Sequence, residues 1–409
     1  MRVNFYSSQD RPCSKSWSVG GENSKWEFAV GEPGGSAVRS ETFNDKSYIT
    51  FFCGFGGTCS GAEAAGLQCV IAIDNNDRDP RTGTERLPAI QTRQKNIGDG
   101  KGVVMSIADF DPKAEHAARI CFASPPCKRF STAAEGRDSD DIEQASLDEN
   151  LKNLGIVAIE KAMLIPKLEY YVMENVEGLL RKPNRPYLDR MISLLLEHGC
   201  SVEFSVYDAR DFGLCQSRRR LFMVASRSGK KDLLPRPPGL EPVKFEQIID
   251  TDPIRISAAE WKDETYVTSR AKELDQCGSV KWIVKDLDAK KYQERALRFM
   301  DDCLPTVTCA WGGGATRKKV AILDNGLRHP TLLEGLRAQG YPDTWLANLS
   351  DLPAGLAWNM VGNAVPTPFA RAFAEHLQLP DEARKANAQT PTEMFQAASH
   401  SSSLTAAID

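Results

Sequence analysis

Three side chains set the chemistry open to this chain. Ser124-Pro125-Pro126-Cys127 follows the apolar run Ile120-Cys121-Phe122-Ala123 and holds one thiol behind two prolines. A strand running into so rigid a turn presents Cys127 at the carboxyl edge of a sheet, where α/β proteins place their ligands. A thiolate there is a nucleophile in a fixed pose. Glu174-Asn175-Val176 follows the strand-like Tyr170-Tyr171-Val172-Met173, and Gln216-Ser217-Arg218-Arg219-Arg220 precedes Leu221-Phe222-Met223-Val224. A thiol, a carboxyl and a guanidinium, each beside an apolar strand, form a constellation suited to nucleophilic catalysis with support for developing charge.

A second constellation points to a cofactor. Phe52-Cys53-Gly54-Phe55-Gly56-Gly57 lies between a strand and a helix. Its glycines let the backbone turn sharply beside a ligand, and the helix N-terminus offers unpaired N–H groups. Asp74 ends the next strand, at the spacing where a carboxylate of a Rossmann-like unit meets ribose hydroxyls. No Gly-Lys-Ser/Thr follows, and the dinucleotide G-x-G-x-x-G spacing is absent. An adenosyl cofactor without phosphates, S-adenosylmethionine, is the leading candidate.

The elements that must position these groups alternate. Strands are expected at Tyr48–Phe52, Cys69–Ile73, 120–123, 170–173, 202–207 and 221–225. Helices are expected from Gly61 and over Leu151–Met163, Leu188–His198 and Phe369–His376. This rhythm predicts an α/β fold with a largely parallel sheet covered on both faces. Residues 1–46 read as a tail or arm, and 47–232 as the catalytic and cofactor-binding domain. Leu233-Leu234-Pro235-Arg236-Pro237-Pro238-Gly239 punctuates the chain. A smaller, more irregular lobe is expected over 233–355. A helix returns to the catalytic domain over 356–380, and a polar, Ala/Ser-rich tail occupies 381–409.

Composition restricts the setting. With 41% hydrophobic and 26% charged residues the chain is globular, and no apolar run approaches the roughly 18–20 residues of a membrane span. The N-terminus lacks a signal-peptide core. Eleven cysteines without a C-x-x-C pair argue against a zinc site or a disulfide framework, so no metal is expected. The expected location is intracellular: cytoplasm or nucleoid in a bacterium or phage, nucleus in a eukaryote. A net charge of −4 means that any nucleic-acid contact must come from local basic clusters, not from bulk charge.

With these motifs in place, the chain resembles the DNA (cytosine-5) methyltransferase family, in motif order from Tyr48 to His376. Phe52–Gly57 with Glu63 and Gly66 resembles the family's cofactor motif, and Pro125-Pro126-Cys127 its nucleophile motif. Glu174-Asn175-Val176 and Gln216-x-Arg218-x-Arg220 match the next two. Arg328-His329-Pro330-Thr331 through Gln339-Gly340-Tyr341-Pro342-Asp343 is similar to the arginine-led motif, and Gly362-Asn363-Ala364-Val365-Pro366 to the last.

The resemblance implies a Rossmann-like S-adenosylmethionine-dependent methyltransferase domain with a smaller, irregular target-recognition lobe. It implies duplex DNA as partner, with RNA as the alternative, and a monomer; restriction-modification, phage self-protection and an epigenetic mark all stay open as its role. Cys127 would attack C6 of a flipped cytosine, making C5 nucleophilic. Glu174 would hold N3 and the exocyclic amine, Arg218 would donate to O2, and Arg220 would orient a loop. For the cofactor it implies Phe52, Gly54, Phe55, Gly56 and Gly57 in the glycine loop, with Asp74 and Asn75 after the second strand. Ser106, Pro125, Asn363 and Val365 complete that set, and S-adenosylhomocysteine would be the product. For the nucleic acid it implies Lys128, Arg129 and Ser131 on a mobile loop, with Gln216, Arg220, Arg270 and Lys281. The chain departs from the family at Thr50, Ser106 and Lys128 and in the long loop Asp77–Pro88. Two alternatives remain open: a tRNA cytosine-5 methyltransferase of the same family, and a catalytically silent DNA-binding homologue.

Overall fold

The computed structural model describes residues 46–76, 85, 88–126, 154–259, 281–285, 297–299, 303–312, 319–323 and 327–396. In chain order the strands are β1 (Ser47–Phe51), β2 (Gln68–Asp74), β3 (Gly102–Val104), β4 (Ile120–Ala123), β5 (Tyr170–Val176), β6 (Ser201–Asp208) and β7 (Gln216–Ser217). They continue as β8 (Arg219–Ser226), β9 (Lys281–Lys285), β10 (Leu297–Phe299), β11 (Leu304–Pro305), β12 (Lys319–Leu323), β13 (Leu327–Arg328) and β14 (Glu393–Gln396). The helices that matter here are α1 (Gly57–Ala64), α2 (Ala89–Ile97), α3 (Leu154–Met163), α4 (Arg185–Glu197), α5 (Leu332–Ala338), α6 (Ala354–Asn363), α7 (Thr367–Leu377) and α8 (Asp381–Ala386).

Eight strands form one sheet in the order β14-β6-β8-β5-β4-β1-β2-β3. From β3 to β5 every pairing is parallel, whereas β8 runs antiparallel to both β5 and β6. The interior strand β1 is flanked by β2 and β4, and its last four residues are all buried. Side chains alternate across the pleat. Ile49, Phe51, Cys121 and Ala123 join α3 and α4 in one apolar cluster, while Tyr48, Ile120 and Phe122 join α1 and α7 in another. The expected α/β sandwich is therefore present, with a sheet that is mixed at one end.

A third cluster belongs to the smaller lobe and gathers Phe245, Leu304, Trp311, Leu336, Tyr341, Trp345, Trp358 and Val361. The four-stranded sheet β10-β9-β12-β13, antiparallel throughout, gives this region regular structure where an irregular lobe is expected. Among the described residues no helix is long and apolar enough to cross a membrane.

Three expectations are corrected. The helix after the glycine loop starts at Gly57, not Gly61. Glycine there meets a packing need: a Cβ on Gly57 would lie 2.3 Å from Tyr341 Oη and 2.4 Å from the Val365 carbonyl. The single returning helix of 356–380 is two helices broken at Ala364-Val365-Pro366. Of these, α6 contributes to the lobe cluster and α7 to the sheet cluster. The expected tail from 381 holds α8 and β14, and β14 pairs antiparallel with β6. Polar composition hid this strand. Glu393 meets the Arg185 guanidinium at 2.6 Å, and Phe395 stacks on Phe204.

Candidate active site

A cavity of about 200 Å³ opens at the carboxyl ends of β1, β2, β4 and β5. One side is the sheet edge, with Phe52, Gly54, Asp74, Ser124, Pro125, Pro126 and Glu174. The other is the end of α6 and the turn after it, Asn359 to Val365.

The glycine loop is held tightly. Phe52 adopts φ 58, a left-handed conformation that costs a bulky residue on the order of 1–2 kcal/mol. The Cys53 N–H donates to the Ile73 carbonyl, and the Gly54 N–H to Asp74 Oδ2 at 3.0 Å. Asp74 Oδ1 accepts from the Asn76 N–H at 2.8 Å. The carboxylate is thereby fixed at the cavity rim by two backbone donors. Phe55 packs edge-on against Tyr341 and Trp345, so the loop is anchored in the small lobe as well. Burial, reinforced by Cys59 and Asp74, pushes the Cys53 thiol well above the usual range, and burial alone does the same to Cys121. Both stay protonated and are poor nucleophiles.

Glu174 is 8% exposed and engaged through both oxygens. Ser124 Oγ donates to Oε2 at 2.6 Å, and Arg220 Nε lies 3.0 Å from Oε1. Register explains the second contact. Val176 faces Arg220 across the β5–β8 pairing and Glu174 faces Phe222, so Arg220 is the diagonal neighbour of Glu174. Asn175 points elsewhere and donates to the Pro125 carbonyl at 3.2 Å, which ties the proline turn to β5.

The two arginines exchange the surroundings expected of them. Arg218 is 1% exposed, and its guanidinium donates to the carbonyls of Val307 (3.0 Å), Gly362 (3.2 Å) and Ala364 (2.9 Å). Arg220 is the guanidinium beside the carboxyl. Spacing alone does not separate residues 218 and 220: Arg218 sits between β7 and β8, whereas Arg220 lies on β8 opposite Val176.

Of the other expected cofactor residues, Phe55, Asn75, Asn363 and Val365 line the cavity. Gly56 and Gly57 do not line it, and they serve the turn and the packing of α1. Ser106 caps a short 3-10 turn through the Ala108 N–H and lies outside the cavity lining. Gln216 is fully buried and donates to the Ala338 carbonyl and Gln339 Oε1 at 2.7 Å, so it presents nothing to a nucleic acid. Cys127, Lys128, Arg129, Ser131 and Arg270 lie outside the described residues, and of Lys281 only the backbone of β9 is described. Sequence reasoning missed Ser124, Thr58, Ala89, Asn359 and Met360 as lining residues. Asn359 had a signal: it stands one helical turn before Asn363 and its Oδ1 accepts from that side chain.

The cavity suits an adenosyl group. It combines an apolar slot (Phe52, Ala89, Pro125) with a fixed carboxylate and the side-chain amides of Asn75 and Asn363. Among the described residues no group of His, Cys, Asp and Glu is arranged to hold a metal ion.

Comparison with known proteins agrees. The chain is 27% identical over 329 residues to the Type II methyltransferase M.HaeII of Haemophilus aegyptius, covering 80% of this chain and 91% of that protein. It is 24% identical over 376 residues to the Type II methyltransferase M.AplI of Arthrospira platensis, covering 91% and 95%. Similar folds occur in the S. pombe Dnmt2 methyltransferase (TM-score 0.54, 15% identity, 80% of this chain and 96% of that one) and in the Entamoeba histolytica methyltransferase EhMeth (TM-score 0.56, 14% identity, 81% and 96%). Residues 47–379 match the model of the C-5 cytosine-specific DNA methylase family. With that match and the methyltransferase fold around it, the chain belongs to this family of S-adenosylmethionine-dependent methyltransferases.

Proposed function

We propose that this enzyme methylates C5 of a cytosine turned out of duplex DNA, through a covalent bond between Cys127 and C6. The observation that carries the reading is the Glu174–Arg220 pair at the cavity rim, beside the Pro125-Pro126 turn that leads by one peptide bond into Cys127.

Cytosine C5 is too weak a nucleophile to accept a methyl group directly. The Cys127 thiolate bonds to C6, and the electron pair of the C5–C6 double bond moves so that C5 becomes nucleophilic. Glu174 grips N3 and the exocyclic amine, and Arg220, already paired with it, reaches O2 and supports the negative charge that develops there. Arg218 is replaced in that role because its guanidinium is committed to backbone carbonyls. When bound, S-adenosylmethionine would supply the electrophilic methyl group, with S-adenosylhomocysteine as the leaving group. Asp74 holds the ribose hydroxyls, and Asn75, Asn363 and the Phe52 slot orient the rest of the molecule. After transfer the C5 proton passes to water, the C–S bond breaks, and the returning electrons restore the C5–C6 double bond and free Cys127. Cys53 and Cys121 do not compete, because burial keeps them as thiols.

The test is incubation of wild-type protein and Cys127→Ala with S-adenosylmethionine and duplex DNA, and separately with tRNA, followed by mass analysis of the nucleosides. Methylated deoxycytidine that vanishes with Cys127→Ala is the expected result. Methylation of tRNA cytidine alone would reject DNA as the substrate, and a methyl group gained by Cys127→Ala would reject the covalent route.

A further inference from the structure

We propose that Arg218 is a positioning residue for the cofactor: its guanidinium fixes the 361–365 wall of the cavity and ties that wall to the small lobe. The proposal rests on reading the cavity as the S-adenosylmethionine site.

The argument begins at the end of α6. The last carbonyls of a helix have no partner within it, and a glycine in a left-handed cap commonly closes them. Here the cap residue Ala364 is extended (φ −71, ψ 153), so the chain leaves the helix without such a closure. Buried side chains from elsewhere take the carbonyls instead. Gln339 Nε2 donates to Val361, Arg218 to Gly362 and Ala364, and Tyr341 Oη to Val365 at 2.6 Å. The wall is thus held by three donors, Gln339 and Tyr341 from behind and Arg218 from a place in the cavity lining itself.

Of the three, Arg218 is the one shown donating to two separate segments. Its Nη1 also donates to the Val307 carbonyl, just beyond β11, and the Val307 N–H donates to Gln216 Oε1. Gly362 permits this convergence, because a Cβ there would lie 2.2 Å from the Cys309 backbone nitrogen. The planar fork spreads these bonds over two nitrogens, Nη1 reaching Val307 and Gly362 and Nη2 reaching Gly362 and Ala364, whereas the three donors of a lysine sit on a single atom. A cation at a helix C-terminus is also favoured by the helix dipole. Each carbonyl left unpaired in this buried place would push the wall to rearrange, and Asn363 and Val365 would move with it.

The experiment measures S-adenosylhomocysteine binding by calorimetry, and methyl transfer at saturating cofactor, for wild type, Arg218→Lys, Arg220→Lys and Tyr341→Phe. Arg218→Lys is expected to weaken binding about tenfold or more, each tenfold being about 1.4 kcal/mol. Tyr341→Phe, which removes one donor and keeps the ring, is expected to weaken it several-fold. Arg220→Lys is expected to keep binding within about twofold while slowing transfer at saturating cofactor. A folded Arg218→Lys that binds as wild type does would overturn the proposal. Should that variant fail to fold, unchanged affinity in Tyr341→Phe would do so. Wild type that binds no S-adenosylhomocysteine would instead sink the cofactor reading beneath it.

Discussion

The main sheet and the small lobe are buried to similar depth but held by different contacts. Between β8 and α7, Phe222 stacks on Phe373 with centroids 4.5 Å apart, Tyr207 meets Phe373 edge-on and Phe369 meets Phe222 at a tilt. The lobe adds a buried polar network to its apolar cluster. Glu334, fully buried, accepts from both terminal nitrogens of Arg328 and from the backbone N–H groups of Asp250 and Thr331. Arg337 pairs with Asp343 and donates to the carbonyls of Ile248 and Ile249. Apolar contacts accept many partners of about the right volume, whereas each of these polar ties accepts one. The sheet therefore tolerates exchange of its core residues, and the lobe gains a unique arrangement that fails when one partner is removed.

The largest expected effect lies in the sheet. Phe373→Ala should cost about 4 kcal/mol of global stability, as cavity-forming aromatic truncations do, and denaturant midpoints will show it. A loss below about 1 kcal/mol would mean that the aromatic cluster is not what holds α7 to the sheet. Next comes Glu334→Gln at about 3 kcal/mol, since it leaves the Arg328 charge buried without its carboxylate. Trp311, Trp345 and Trp358 all sit in the lobe cluster. Tryptophan emission should therefore shift at lower denaturant than helix circular dichroism, and coincident transitions would erase the distinction between the two regions.

A pH effect sharpens the same contrast. His376, on α7, lies 2.8 Å from the Asp232 carbonyl. Burial foremost lowers its pKa from 6.5 to about 4, with Arg384 assisting and the Asp232 bond opposing. The folded state keeps the ring neutral, while the unfolded chain takes up a proton below pH 6.5. This contribution is complete above that pH and is lost as pH falls toward 4, by roughly 2–3 kcal/mol. His376→Gln should flatten that part of the stability profile, and an unchanged slope would refute the assignment. The smallest effect is expected at Arg190–Glu197, each side chain 57% exposed. Removing it should change stability by less than about 0.5 kcal/mol.

The difference between the regions also explains what the sequence revealed. Strands such as 120–123, which the structure reproduces without shift, were legible because an apolar run between breakers has few other fates. The places of the Ser124–Pro126 turn and of Glu174 at the cavity were legible because each follows directly from one strand end. The exchange between Arg218 and Arg220 was not, since it depends on Val307, Gly362 and Ala364, which lie 89 to 146 residues away. The polar β14 was missed for a related reason: its place comes from Arg185 and Phe204, not from its own pattern. Gly57 and Gly362 look like breakers in sequence and serve as points of close approach in the fold.

One feature of the connectivity bears on how the protein comes to exist. The cavity joins a loop at residues 52–58 to a wall at 359–365, and α7 packs on α1 across a similar separation. During synthesis at about 5–20 residues per second, a nascent chain displays the glycine loop for roughly 15 seconds or more before its opposite wall has been made. Until then α1 exposes the surface that α7 will cover. The cavity therefore takes shape only after the segment at 359–365 has been synthesised and has folded back onto the glycine loop.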